Sequence, residues 1–308
     1  MSSRVNKKIL KSKTKDYIFV YALLFVPISL WAFFFFTTNF SSIAMAFQSI
    51  DYFGNRSWIG FDNFVQFINE CLSDGDVLSI SLINSLKNYI ICLVICNPLY
   101  IFFSYYIFKK TRGSRFVQSI SMVPRIIPGM VISLVFMNFV QDALPDIFLK
   151  TFNVEMPNLF RDAKYTYGTT LFYTIWLSFA TSLIVLPNAI NGISQEIFES
   201  AELDGVDNIF TELWYIILPL IYPTLETLFI TGFAAFLTQA GPLITFWLYN
   251  APQETWNMGY YYYKQTFAVV NESGYPVLAA GGLIMTVIIA PLTHLLKYCL
   301  EKFGPSED

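Results

Sequence analysis

Glu199-Ser-Ala-Glu-Leu-Asp-Gly-Val206, followed by Ile216-Ile-Leu-Pro219, is a short acidic stretch wedged between two strongly apolar ones. Between Asn188 and Tyr215 stand Glu196, Glu199, Glu202, Asp204, Asp207 and Glu212, without a single Lys or Arg. Of the 308 residues, 55% are hydrophobic and only 13% charged, against about 25% charged in soluble proteins. The chain therefore reads as an integral membrane protein. A connection this acidic reads as one that meets something.

A bilayer core of ~30 Å takes about 20 helical residues to cross. Outward from the acidic loop, 167–188 precedes it and 214–238 follows it; 277–297 lies beyond, and 116–140, 88–108 and 17–38 lie before. Runs this apolar must be helical, because a lone strand leaves its backbone unsatisfied in lipid. The expected fold class is all-α, a polytopic membrane protein with six transmembrane helices. The expected divisions are a cytoplasmic basic N-terminus at 1–16, the first helix at 17–38 and an extracytoplasmic loop at 39–83. A five-helix core at 84–300 contains the loop 189–215, and 301–308 is a cytoplasmic tail. With the N-terminus inside, the inside segments hold twelve Lys and Arg and the outside segments six, which places both termini in the cytoplasm. The uncharged run from Tyr17 to Ile50 is too long for a signal-peptide core and reads as an uncleaved first span.

Other chemistry is sparse. Cys71, Cys92, Cys96 and Cys299 form no CxxC pair, and His294 is the only histidine, so neither a metal site nor another cofactor is expected. No Walker A or hydrolase motif occurs. The chain is not expected to be an enzyme, has no catalytic residues, and must draw its energy from a partner. On the outside, Trp58-Ile-Gly-Phe-Asp-Asn-Phe64 predicts a turn at Gly60 and a helix opened by Asp62 or Asn63. Tyr260 to Tyr263 read as part of an interfacial aromatic belt.

Within the acidic loop, Gln195 to Leu203 predicts a helix with Ile197, Phe198 and Ala201 on one side and carboxylates outward. Ser194 stands at the cap position, and Ile193 and Phe198 have the spacing of a hydrophobic staple. Gly205 accepts positive φ and breaks the helix. A second helix restarts near Asp207 or Asn208 and runs through Leu218-Pro219 into the fifth span.

These residues resemble the cytoplasmic signature of permease subunits of binding-protein-dependent ABC importers, which have the MetI-like type I fold. The family pattern is Glu-Ala-Ala, three residues, Gly, nine residues, Ile-x-Leu-Pro. Here it stands as Glu199-Ser200-Ala201, Gly205, and then Ile216-x-Leu218-Pro219 after ten residues rather than nine. Leu203-Asp204-Gly205 and the segment from Trp58 to Phe64 resemble the carbohydrate-importing branch. The resemblance implies a plasma-membrane permease that forms half of a translocation pathway. Its partners would be a second related permease, an ATPase dimer and an extracytoplasmic binding lipoprotein carrying a sugar or oligosaccharide. It further implies that Glu199, Ser200, Ala201, Asp204, Gly205, Ile216, Leu218 and Pro219 couple the chain to the ATPase. Rival readings are an ion-coupled secondary carrier, a membrane anchor or sensor, or an importer of a non-sugar solute such as glycerol phosphate.

Several residues at membrane depth are candidates for the substrate pathway. Glu226, inside the fifth span, either binds sugar hydroxyls or makes a buried helix–helix bond. Asn97, Tyr100, Asn138, Trp176, Gln239 and Trp247 supply the amides and aromatic faces that sugars favour, although packing is the ordinary role of such aromatics. Arg125 lies between Pro124 and Pro128 and either lines the pathway or, preferably, snorkels to the headgroups. His294 reads as a packing or interfacial residue.

Overall fold

In the computed structural model, which describes residues 2–73, 75–267 and 272–305, five helices are long and apolar enough to cross a membrane. They are Phe19–Ala46, Val77–Phe108, Gly129–Phe152, Ala163–Asn191 and Tyr275–Phe303. A pair bent by 70°, Ile209–Leu220 and Tyr222–Ala235, brings the count to six when it is taken as one broken span. The six expected segments are present in the expected order, and the fold is all-α and polytopic. Met1, Asp74, 268–271 and 306–308, which belong to the expected N-terminus, outer loops and tail, lie outside the described residues.

Two spans differ from expectation. The segment 116–140 is not one helix: α5 (Ser114–Ile126) stops, and the third crossing begins at Gly129. Pro128 is the cause. It drives the preceding residue out of the helical region, and Ile127 is extended at φ -82 and ψ 136. The fifth span does not run straight through Pro219 either. Pro223 lacks the N–H that would reach back to the carbonyl of Pro219, and the chain bends at Ile221.

Proline also explains a feature that recurs in three spans. The helix α3 (Val77–Ile91) passes through a π turn, Cys92–Cys96, into α4 (Asn97–Phe108). The helix α6 (Gly129–Asn138) passes through Phe139–Ala143 into α7 (Leu144–Phe152). The short α10 (Ile209–Glu212) passes through Leu213–Ile217 into α11 (Leu218–Leu220). Each π turn stands directly before an X-Pro pair: Asn97-Pro98, Leu144-Pro145 and Leu218-Pro219. The residue before each proline donates its N–H to the carbonyl five back, at Cys92, Phe139 and Leu213. A proline ring presses on the carbonyl four residues earlier, and widening the turn relieves that pressure while keeping the helix.

The chain divides into two units. The first, Met1–Phe67 with Asn271–Leu283, holds α1 (Ser2–Ala46) and an antiparallel hairpin, β1 (Gln48–Ile50) with β2 (Arg56–Trp58), in which Ser49 faces Ser57. The expected outer loop 39–83 is thus shorter and more ordered, since α1 runs on to Ala46 and α3 starts at Val77. Asp51 fixes the hairpin tip: its Oδ1 accepts from the N–H groups of Phe53 and Asn55, each at 2.8 Å, and its Oδ2 accepts from the Asn55 amide at 2.9 Å. These bonds, the Asn55 side-chain amide first, hold the Asp51 carboxyl below its ordinary value. Gly60 turns at φ 70 and α2 (Asp62–Leu72) follows. Asn63 is a clamp rather than a cap, donating to the carbonyls of Ala46 (2.9 Å) and Gln48 (2.8 Å).

The second unit, Ile68–Val270 with Ile284–Asp308, packs α4 and α5 against α8 (Ala163–Asn191). Lipid is as apolar as the side chains, so helices associate in it through close packing and bonds between polar side chains, the latter worth about 0.6 kcal/mol each. Such bonds are present: Tyr100 to Ser178, Tyr167 to Asn88 at 2.8 Å, and Tyr173 with Ser133 at 2.8 Å. The segment after α12 (Tyr222–Ala235) folds inward as α13 (Leu243–Trp247) and α14 (Met258–Phe267). Asn84 holds it by donating to the carbonyls of Glu254 and Trp256, both at 2.9 Å. Tyr260 and Tyr261 are consequently buried, and the Tyr260 hydroxyl accepts from Ala251 N–H at 3.0 Å. The aromatic-belt expectation is thus corrected for these two: the inward fold takes them out of any lipid interface. The last helix, α15 (Tyr275–Phe303), begins in the first unit and ends in the second.

Candidate functional site

The acidic loop forms α9 (Gln195–Leu203), with the bounds its pattern predicts. Ser194 occupies the cap position in extended backbone, but its hydroxyl makes no cap bond. The entry is set instead by the staple, since Ile193 and Phe198 share one core cluster. Phe198 is buried and Ala201 half-buried, while Ile197 turns outward at 40% exposure. At the far end, Val206 N–H donates to the Ala201 carbonyl at 3.0 Å and Gly205 N–H to the Glu202 carbonyl at 3.2 Å. That double closure is a Schellman motif, and it requires the φ of 87 found at Gly205. Glu199, Ser200, Asp204 and Gly205 are exposed, and Leu203 is 90% exposed. The loop therefore presents a rigid, acidic, partly apolar knob.

Asn208 caps α10, its Oδ1 accepting from Phe210 N–H at 3.2 Å. The ten residues between Gly205 and Ile216 run through α10 into the π turn Leu213–Ile217. Ile216, Leu218 and Pro219 are half-buried. Ile216 and Leu218 pack against the core cluster around Ile217 and Ile221, so these motif residues root the loop, whereas α9 and its turn present its surface.

One carboxylate departs from the outward pattern. Glu212 turns inward, with its side chain only 13% exposed and its Oε1 2.7 Å from Lys109 Nζ. Its Oε2 accepts from the Tyr105 hydroxyl at 2.9 Å. Lys109 Nζ also lies over the rings of Tyr105 (5.6 Å) and Phe198 (5.8 Å). Glu212 is largely buried but Lys109 is about a third exposed, so solvent screens the pair and removing one partner costs less than the ~3–5 kcal/mol of a fully buried pair. Sequence reasoning counted Glu212 with the outward acids and Lys109 with the topological charges, because spacing alone does not say which face of a four-residue helix looks inward.

The pathway candidates scatter. Asn97 and Gln239 line a cavity of about 300 Å³ together with Asn88, Tyr89, Cys92, Tyr167, Ser178 and Asn257. None of its lining residues is an acid, Lys, Arg or His, so it offers amides, hydroxyls and aromatic faces. Tyr100 is buried beside it and bonded to Ser178. Trp176 and Trp247 instead pack against the aromatic cluster of Phe160, Tyr173 and Phe246. Asn138 is exposed at the end of α6, and Glu226 is half-buried on α12; neither lines the cavity. Arg125 is exposed and donates to Thr181 Oγ1 at 2.6 Å, while His294 is exposed on α15. The cavity residues Asn88 and Asn257 went unread in the sequence. Their signal was an amide within or beside an apolar run.

Comparisons with known proteins agree with this geometry. Residues 97–304 match the family described as binding-protein-dependent transport system inner membrane component. The chain is 25% identical over 201 residues to the multiple sugar-binding transport system permease protein MsmF of Streptococcus mutans, covering 63% of this chain and 66% of that protein. It is 25% identical over 204 residues to the galactooligosaccharides transport system permease protein GanP of Bacillus subtilis, covering 62% of this chain and 48% of that one. It thus spans less than two thirds of the length of either relative. Among solved structures, a chain of a bacterial ABC transporter involved in the import of the acidic polysaccharide alginate aligns with a TM-score of 0.77 at 21% identity, over 96% of this chain and 99% of that one. A chain of an alginate ABC transporter in complex with its alginate pentasaccharide-bound periplasmic protein aligns equally well, with a TM-score of 0.77 at 21% identity over 95% and 97%. With the family matched across most of the chain and the same fold in solved importers, the chain belongs to the binding-protein-dependent transport system inner membrane components.

Proposed function

We propose that this chain is the permease subunit of an ATP-driven ABC importer and forms half of a translocation pathway for a sugar or oligosaccharide. The observation that carries the reading is α9: a capped, rigid helix whose Glu199, Ser200 and Asp204 face outward beside the turn at Gly205. Such a knob suits a groove on a separate ATPase, with Glu199 meeting a basic group and Ala201 packing closely. Ile216, Leu218 and Pro219 anchor the knob to the span that follows. ATP hydrolysis belongs to that partner, a second related permease completes the pathway, and an extracytoplasmic binding lipoprotein delivers the cargo. Both termini lie in the cytoplasm, as the Lys and Arg bias favours. A sugar cargo is supported by the names of the two relatives and by a cavity that offers neutral hydrogen-bonding groups and aromatic faces.

The test is reconstitution in vesicles with the partner permease, ATPase and binding protein. ATP-driven uptake is expected from the assembly and not from this chain alone. Gly205→Asp and Glu199→Lys are expected to insert and express normally while uptake falls at least ten-fold: the first strains the turn at φ 87, and the second loses a partly desolvated charge contact costing about 2–5 kcal/mol. Sugar transport by the purified chain without an ATPase overturns the reading.

A further inference from the structure

We propose that Glu212 is a positioning residue that joins the acidic loop to the C-terminal turn of α4, so that a push on α9 enters the α3–α4 helix before it reaches α12. The inference rests on the reading that α9 is gripped by an ATPase. Both arms of the loop hold the same turn of α4. From α9, the Phe198 ring lies 5.2 Å from that of Phe108 and 5.8 Å from Lys109 Nζ. From α10, Glu212 takes Lys109 at 2.7 Å and the Tyr105 hydroxyl at 2.9 Å. A carboxylate held by an ion pair at Oε1 and a hydrogen bond at Oε2, with little exposure to water, restricts orientation as well as distance.

The onward route along the chain is different in kind. Between α10 and α12 the helix bends by 70° at Ile221, so a displacement of α9 is not passed along a straight rod. The helix that the loop grips, by contrast, runs from Val77 to Phe108 as one span without a sharp bend, widened once at Cys92–Cys96. It supplies Asn88, Tyr89, Cys92 and Asn97 to the cavity. The joint therefore connects the knob to the cavity wall through one element, which gives coupling a physical carrier.

Cys92, a free thiol on that wall, provides the readout without requiring the cargo. In the complete transporter, the rate at which a small methanethiosulfonate modifies Cys92 is followed by peptide mass spectrometry, with and without ATP and vanadate. The wild type is expected to show at least a five-fold change in rate on trapping. Lys109→Met and Glu212→Gln are each expected to reduce that change to less than two-fold while ATP hydrolysis continues, and the double variant to match the singles. A full ATP-dependent change in either single variant overturns the proposal, as does a double variant markedly worse than both. Should those variants fail to assemble, Tyr105→Phe removes one hydroxyl and leaves the ion pair; it is expected to lower the change about two-fold, and a wild-type response overturns the proposal. Failure of the underlying reading is visible separately. In that case the wild-type Cys92 rate does not respond to ATP, or Glu199→Lys responds as the wild type does, and both ideas fall.

Discussion

Gly281 illustrates how little slack a single position can have. A Cβ built there would lie 2.3 Å from the ring of Phe67, which is fully buried. Both residues belong to the first unit, so the close approach pins the start of α15 to α2. Gly281→Val is expected to cost about 1–3 kcal/mol through overpacking and to lower the melting temperature in detergent. Adding Phe67→Leu should restore part of the loss, and an unchanged melting temperature in the single variant would sink the argument. Gly205 is the opposite case. Nothing lies within 4 Å of a Cβ there, so its constraint is the backbone angle alone. The sequence announced Gly205, because a glycine after an amphipathic turn is a recognisable stop signal. It could not announce Gly281, whose partner ring lies more than two hundred residues away in the chain.

Among the elements, the hairpin of β1 and β2 has a stability that depends on one acid. Asp51 is ionised while it accepts the bonds from Phe53 and Asn55, and those bonds lower its pKa in the fold. A lowered folded value means that the contribution is complete above the unfolded value and is lost as the pH falls through the folded one. Protection of the Phe53 and Asn55 amides, measured against their intrinsic exchange rates, is therefore expected to hold from neutral pH down to the ordinary carboxylate range and to fall below it. Asp51→Ala should show little protection at every pH; pH-independent protection in the wild type would refute the clamp. Element type was broadly legible from apolar run length, and α9 was legible to the residue because its staple and stop signal agree. Breaks were less so. Pro128 and Pro223 end or bend a helix, whereas Pro98, Pro145 and Pro219 only widen one, and the difference lies in packing that the linear pattern does not contain. The hairpin was missed because its strands are three residues long, too short to show alternation.

At the scale of the whole molecule, counting the bent pair Ile209–Leu220 and Tyr222–Ala235 as one crossing gives six, an even number that would put both ends on one side of the membrane. A membrane-impermeant maleimide should label Tyr52→Cys in intact spheroplasts and Glu301→Cys only after permeabilisation; the reverse order would invert the topology. Native Cys71 adds little background, being half-buried with its thiol pushed up to about 11 by burial first, then by Glu70 and Asp76. Family, fold and the acidic knob were all within reach of the sequence, because each is encoded locally. The cavity was not, since its wall draws on α3, α4, α8, α12 and the inward-folded segment before α14. The three widened turns have a mechanical consequence of their own. Each stores one residue that adds almost nothing to the length of its span. Tightening such a turn to regular geometry would pay out about 1.5 Å of helix and rotate everything beyond it by about 100°. Each span is therefore shorter by that rise, and its far end faces that far around, compared with an unbroken α-helix of the same residues.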